Sequence, residues 1–336
     1  MAPSLHPDAN AILARLRGEG VTTLYHFTSV ENLRLICEAQ GLCSKQMLEN
    51  RGKWPCPVPG GEGPSHVLDR RNGNWDMVHL NFTPYTPMAY GKKQRGHLCF
   101  FCIHPQVASW IGVVFTDTNA ASDNHLRGEG LEGLNYVNFE IISSITRGDK
   151  DTWKRYVQAE VLVPRKIPFE YVSEVAFVSR ASMIYAERLC GSLPHPKFSI
   201  DERLFTDSIR APREAVSFPY VRELLLTDAE INTHMLKDVV YLSHIQKNRY
   251  SNKDTSHIKV VGLVRAITGT QAKILLRRFD TPDSVEHIIV TKEFETPNLY
   301  SGQIKIPVSE LAIGVYTVEY YLNNICWAST DFEVVQ

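Results

Sequence analysis

The period of the apolar positions changes along this chain, and the elements follow from it. Over residues 8–17, Ile12, Leu13 and Leu16 form a stripe at helical spacing; Asp8 or Asn10 caps it and Gly18 stops it, which predicts a short helix. A strand is predicted at 23–27. A helix follows at once, because Thr28 and Glu31 are spaced as a capping box and Val30, Leu33, Ile36 and Cys37 recur at helical spacing up to Gly41. Residues 53–66 are too rich in Pro and Gly for regular structure and predict a loop. Strands are expected at 77–82 and 97–103. Between them Pro84 and Pro87, three apart, predict a fixed turn rather than a helix. A helical turn at 105–111, a short strand at 113–115, a polar loop at 116–130 and a helix over 134–145 come next. Residues 156–163 alternate, with Val157, Ala159, Val161 and Val163 on one strand face and Gln158, Glu160 and Leu162 on the other. A strand at 174–179 and a helix at 182–189 precede a polar stretch that runs to about residue 215.

Beyond that point the pattern shifts. Residues 219–247 have Val239, Val240, Leu242 and Ile245 at mixed spacing and predict one or two helices, a connector. From Ser251 onward short alternating segments separated by turn residues (258–266, 273–279, 287–294, 303–307, 314–322 and 326–335) predict a small β-sandwich. Residues 314–320, preceded by Leu311, have the look of the penultimate strand of an immunoglobulin-like domain. The division expected is therefore a mixed α/β domain at 1–215, a helical connector at 216–250 and a sandwich at 251–336. No internal repeat is present.

Composition narrows the class. With 336 residues, 43% apolar and 22% charged, the chain reads as a globular protein of more than one domain. It has no run long enough to span a bilayer and no basic-then-apolar N-terminus, so it is expected in the cytoplasm, away from membranes. A net charge of −1 excludes a wholly basic protein, so any nucleic-acid surface is a local patch. Of the seven cysteines, Cys99 and Cys102 form a CxxC inside an apolar run without a second ligand pair. They read as buried free thiols in a reducing compartment, and no metal site is expected.

Four features carry candidate chemistry. Glu160 is a carboxylate in mid-strand, costly unless paired, hydrated or used; an edge strand with a solvated polar face is the bland alternative. His26 ends a strand that leads into a helix, where α/β enzymes often bind ligands. Arg70 and Arg71 stand behind the 53–66 loop, suited to gripping a phosphate, and Lys92, Lys93, Arg95 and His97 form the densest basic cluster, of which Lys92, Lys93 and Arg95 are a candidate nucleic-acid contact or a solvated turn.

Taken in order, Tyr25 to Leu33 with Gly41-Leu42, Asp69-Arg70-Arg71-Asn72, Asn81-Phe82 with Thr86-Pro87-Met88-Ala89-Tyr90, Val114 to Asp117, and Gln158-Ala159-Glu160 with Ile167-Pro168 resemble the DarT family of nucleic-acid base ADP-ribosyltransferases. The resemblance covers roughly residues 22–180 and not the sandwich. It implies an α+β fold, an ADP-ribosyltransferase-like split β core with flanking helices, beside the C-terminal immunoglobulin-like β-sandwich. It implies NAD as a substrate and no metal. Glu160 becomes the carboxylate that stabilises the oxocarbenium-like ribose and takes a proton from the attacking base. One arginine, aligned as Arg71 with Arg70 as the alternative, holds NAD and the target and assists proton removal. His26 binds the adenosine-side ribose, and Thr28, Asn32, Arg70, Arg71 and Phe82 complete the NAD contacts. Gln158, His125 or Asn124, and Lys92, Lys93 and Arg95 meet the target, while the 53–66 loop closes over NAD. The expected activity is mono-ADP-ribosylation of a base in single-stranded DNA by a toxin. Its expected partner is a macrodomain-type ADP-ribosyl-hydrolase antitoxin, and the setting that of phage defence.

Two alternatives stand beside this. The same chemistry on RNA bases is one; the other is an inactive transferase fold that docks a partner through the sandwich, against which the intact Gln158 and Glu160 argue. The chain also departs from the family. Leu80 and Asn81 occupy positions where aromatic residues are common, and Tyr85 stands where a basic residue often precedes Ser-Pro-Met. Those changes leave NAD chemistry intact and bear on the target base.

Overall fold

The structure, a computed structural model, describes residues 3–61, 63–144, 149–208, 211, 215–231, 245–278 and 286–336. The chain forms two compact units, Met1–Phe177 with Leu189–Ala215 and Val178–Arg188 with Val216–Gln336.

The strands of the first unit are β1 (Leu24–Ser29), β2 (Gly41–Cys43), β3 (Met77–Asn81), β4 (Leu98–Ile103), β5 (Val114–Thr116), β6 (Arg127–Glu129), β7 (Glu160–Pro164), β8 (Lys166–Pro168), β9 (Val172–Phe177) and β10 (Phe198–Ile200). Eight make one sheet in the order β10-β9-β4-β1-β3-β7-β5-β6, and β2 pairs with β8. Every pair in the large sheet is antiparallel except β10 with β9. The apolar run of β4 is buried on both faces, as a central strand requires. Around the sheet lie α1 (Ala9–Gly18), α2 (Leu33–Ala39), α3 (Lys45–Asn50), α4 (Gly63–Arg71), α5 (Pro87–Lys93), α6 (Gly130–Leu134), α7 (Phe139–Ser143) and α8 (Lys150–Tyr156).

Several local expectations are corrected. The predicted strand at 156–163 begins only at Glu160. In its first half Tyr156 ends α8, which Asp149 caps by accepting the Thr152 N–H at 2.8 Å, and residues 157–159 are the turn between that helix and the strand. Strand β7 is an interior strand between β3 and β5, so the solvated-edge alternative fails. Pro87 opens a helix instead of fixing a turn: it occupies the first helical position, where its missing N–H costs nothing, and Thr86 caps the helix through the Ala89 N–H. The 3-10 turn Val30–Asn32 that leads into α2 is capped by Ser29, accepting from Glu31 N, and not by Thr28.

The second unit begins with most of α9 (Arg180–Cys190) and continues with β11 (Tyr220–Thr227), β12 (Arg249–Ser251), β13 (His257–Ala266), β14 (Thr270–Arg278), β15 (Glu286–Phe294), β16 (Asn298–Pro307), β17 (Gly314–Leu322) and β18 (Ile325–Val335). The helical connector expected at 216–250 is overturned at its start, where β11 pairs with β13 over its length and is buried on both faces; sheet pairing outweighs the helix propensity of the three leucines. Residues 232–244 lie outside the described residues. The strands form a sheet β11-β13-β16 and a sheet β12-β18-β17-β14-β15. The two meet so closely at Gly262 that a Cβ there would lie 2.7 Å from the Tyr320 ring, and Phe218 stacks on Trp327 at 6.0 Å. Helix α9 is anchored in this unit: Ser179 Oγ donates to the Val221 carbonyl at 2.6 Å, Arg180 pairs with Glu223 at 3.1 Å, and Arg188 donates to Ser329 and Thr317 and pairs with Asp331 at 2.8 Å. Among the described residues no helix is long and apolar enough to cross a membrane.

Candidate active site

Glu160 is the first residue of β7, and its ladder partners are Asn81 on β3 and Thr116 on β5. Its backbone N–H donates to Thr116 Oγ1 at 3.2 Å, while that hydroxyl donates to the Thr118 carbonyl at 2.6 Å, so the strand entrance is held from the side. The carboxylate is 8% exposed, and His79 Nδ1 lies 2.7 Å from Oε2. His79 faces Leu162 across the ladder and is therefore the same-face diagonal neighbour of Glu160, a spacing two long side chains bridge. An ionised carboxylate only accepts, so the imidazole donates from Nδ1. His79 Nε2 is buried and has no hydrogen-bond partner among the described residues.

His26 sits on β1 with its Nδ1 2.9 Å from the His79 carbonyl, and its ring meets Phe101 edge-on at 6.3 Å. A carbonyl oxygen can only accept, so Nδ1 carries the hydrogen. Burial pushes the His26 pKa down to about 4, against the opposing pull of the hydrogen bond to the His79 carbonyl. The ring is therefore neutral near pH 7, with Nε2 as an acceptor.

These groups share a cavity of about 350 Å³, whose lining includes His26, Thr28, Asn32, Lys45, Trp54, Val58, Asp69, His79, Asn81, Met88, Lys92, Arg95 and Glu160. Asn32 pins the loop to the cavity: its Oδ1 accepts the Val58 N–H at 2.9 Å, and its Nδ2 donates to the Val58 carbonyl at 2.7 Å and to Thr28 Oγ1 at 2.9 Å. Lys45 pairs with the buried Asp69 at 2.5 Å. Trp54, His66 and Trp75 form a ring triangle with edges of 5.4 to 5.8 Å, and Arg70 stacks over Trp75 at 3.7 Å. Among the described residues no group of three or more His, Cys, Asp or Glu is placed to hold a metal.

Of the residues singled out from sequence, His26, Thr28, Asn32, Lys92, Arg95 and Glu160 line this cavity; the others do not. Arg70 pairs with Glu49, and Arg71, 60% exposed, pairs with Asp123. Residues one or two apart on α4 do not share a face with Asp69, which turns inward. Phe82 is buried edge-on against Phe139 at 5.2 Å. Lys93 is no surface contact. It is buried, donates to the carbonyls of Leu204 and Thr206 at 2.8 and 3.2 Å, and burial pushes its pKa down to about 8. Gln158 is not on the strand and donates back to the Lys154 carbonyl at 2.7 Å. The Asn124 carbonyl accepts from Arg155 at 3.2 Å, and His125 Nδ1 lies 2.5 Å from the Ser122 carbonyl.

His79, Asn81 and Lys45 were not singled out as site residues from sequence. The period-2 burial of β3 puts His79 and Asn81 on one face, a signal that was legible; the register that sets them against Glu160 was not.

A family model described as the ssDNA thymidine ADP-ribosyltransferase DarT matches residues 25–203. The match spans more than half of the chain and places it among the ADP-ribosyltransferases, enzymes that take ADP-ribose from NAD. The chain belongs to the DarT family. Among curated proteins none matches it. Solved structures similar to it include Thermus sp. 2.9 DarT with ADP-ribosylated ssDNA, at 21% identity over 55% of this chain and 96% of that one, with a TM-score of 0.44. The same Thermus protein with NAD+ gives 20%, 55%, 97% and 0.43. Thermosipho africanus DarTG with ADP-ribose gives 20% identity over 55% of this chain and 51% of that one, with a TM-score of 0.45.

Proposed function

We propose that this chain transfers ADP-ribose from NAD to a base of single-stranded DNA, thymidine being the base that the family description names. The observation that carries the reading is the buried Glu160 carboxylate, 2.7 Å from His79 Nδ1, in one cavity with the neutral His26. As the bond from ribose C1′ to nicotinamide breaks, the electron pair leaves with nicotinamide and positive charge grows on the sugar. A fixed carboxylate beside it favours the transition state over the bound substrate. The base nitrogen then bonds to C1′ and gives its proton to Glu160. His26 Nε2 accepts a ribose hydroxyl, and Lys92 and Arg95 at the cavity wall meet phosphates. The exposed Arg71–Asp123 pair is weak enough to be exchanged for the diphosphate of NAD.

In this reading the enzyme is a cytoplasmic toxin of a phage-defence pair, because a base blocked at its pairing edge stops copying. Its antitoxin is a macrodomain-type hydrolase that removes the mark. The second unit is an immunoglobulin-like sandwich that recruits a partner.

Incubation of the full chain with NAD labelled in its adenylate moiety, together with single-stranded DNA, RNA and protein, tests the proposal. Label is expected on single-stranded DNA, and Glu160→Gln is expected to lower the rate about 10²- to 10³-fold. Label on RNA alone, or unchanged turnover in that variant, overturns it.

A further inference from the structure

We infer that His79 is the residue that positions Glu160 for the reaction; the inference rests on the functional reading above. Three observations on β3 carry it. The imidazole Nδ1 holds Oε2 of Glu160 at 2.7 Å. No hydrogen bond holds Oε1 among the described residues, so one carboxylate oxygen is fixed and the other is left for the reactants. The main-chain carbonyl of the same residue holds His26 Nδ1 at 2.9 Å. A single residue thus sets the spacing between the ribose-binding imidazole and the carboxylate, its backbone anchoring one and its side chain the other.

The chemistry of the ring makes the arrangement one-directional. Among the described residues Nε2 is buried without a partner, so a hydrogen there would be an unsatisfied buried donor, whereas a hydrogen on Nδ1 is taken up by Glu160. The diagonal placement across an interior antiparallel ladder fixes both side chains from rigid strands rather than loops. A carboxylate that must lie against C1′ as charge develops loses its benefit when it can rotate away, and a displacement of about 1 Å costs about 10²-fold in rate.

Steady-state kinetics of NAD turnover on the full chain with single-stranded DNA tests this. The side-chain amide of Asn reaches the place of Nδ1, whereas that of Gln reaches the place of Nε2. His79→Asn is expected to keep kcat within about five-fold of the parent. His79→Gln and His79→Leu are expected to lower kcat about 10²-fold with KM for NAD changed by less than about three-fold. In the Glu160→Gln background His79→Leu is expected to add less than about three-fold, since the two act as a unit. Binding of an NAD analogue with carbon in place of the ribose ring oxygen reports that each variant is folded. If His79→Leu fails to fold, the contrast between His79→Asn and His79→Gln decides. A parent-like kcat in His79→Leu, equal losses in the Asn and Gln variants, or a change confined to KM overturns the inference while leaving Glu160 in place. Parent-like turnover in Glu160→Gln removes the functional reading and this inference together.

Discussion

At the scale of single residues, the site is organised by hydrogen-bond direction. His26 gives its one hydrogen to the His79 carbonyl and is held neutral by burial, its pKa lowered from 6.5 to about 4. Linkage fixes the sign of the consequence. Above pH 6.5 neither the folded nor the unfolded chain protonates this ring. Between 6.5 and about 4 the unfolded chain binds a proton that the folded chain refuses, so stability is lost as pH falls. Urea unfolding of the parent is therefore expected to weaken over that interval more than that of His26→Asn, whose amide replaces the Nδ1 donor and does not titrate. Parallel curves would contradict the assignment. Glu160 and His26 were legible as single residues, because a carboxylate or an imidazole among apolar neighbours calls for a partner. His79, which joins them, was not, since its meaning depends on which strand lies beside β3. The arginine pair shows the reverse. Arg70 and Arg71 are conspicuous in sequence, yet a helix sends adjacent residues to different sides, and both point to surface carboxylates.

Elements decide what the cavity can hold. The loop after α3 is tied down by Asn32, all of whose amide hydrogen bonds go to Val58 and Thr28. Asn32→Ala leaves the Val58 backbone groups without those partners and is expected to cost about 1–3 kcal/mol. KM for NAD is expected to rise about ten-fold and trypsin cleavage at the exposed Lys53 to speed up. Parent-like KM and proteolysis would show that the clamp is irrelevant to the cavity. Most strands were readable from period-2 alternation, and β13, β15, β17 and β18 fall close to their expected spans. Two misreadings share a cause: a short apolar run carries no label for its backbone. Residues 157–159 form the turn that leaves a helix although they alternate, and Leu224 to Leu226 lie in a strand although leucine favours helices. Pro87 was read as a breaker, when a proline just after a Thr cap starts a helix.

For the whole molecule, the residues of the cavity all belong to the first unit. Removal of residues 251–336 is accordingly expected to leave NAD cleavage measurable in the soluble fraction. The same cut strips β11 of its partner β13 and Arg188 of Asp331, Ser329 and Thr317, so the soluble yield and the melting temperature are expected to fall. A folded remainder with no cleavage would place an essential group in the second unit. The family was readable from the ordered motifs of residues 22–180, and the family model covers nearly the same span. That Val178–Arg188 groups with the later strands was not readable, because the helix expected at 182–189 gave no sign of which unit it serves.

The out-and-back course of Val178–Arg188 has a consequence for heredity. A recombination event exchanges one contiguous block of a gene, but the second unit is encoded in two blocks separated by Leu189–Ala215. Any crossover that imports a foreign C-terminal part leaves the resident helix facing sheets it did not coevolve with, its Arg188 without matched acceptors. Lineages should therefore diversify this part by accumulating point substitutions and not by shuffling it, and an engineer grafting it elsewhere must carry both segments.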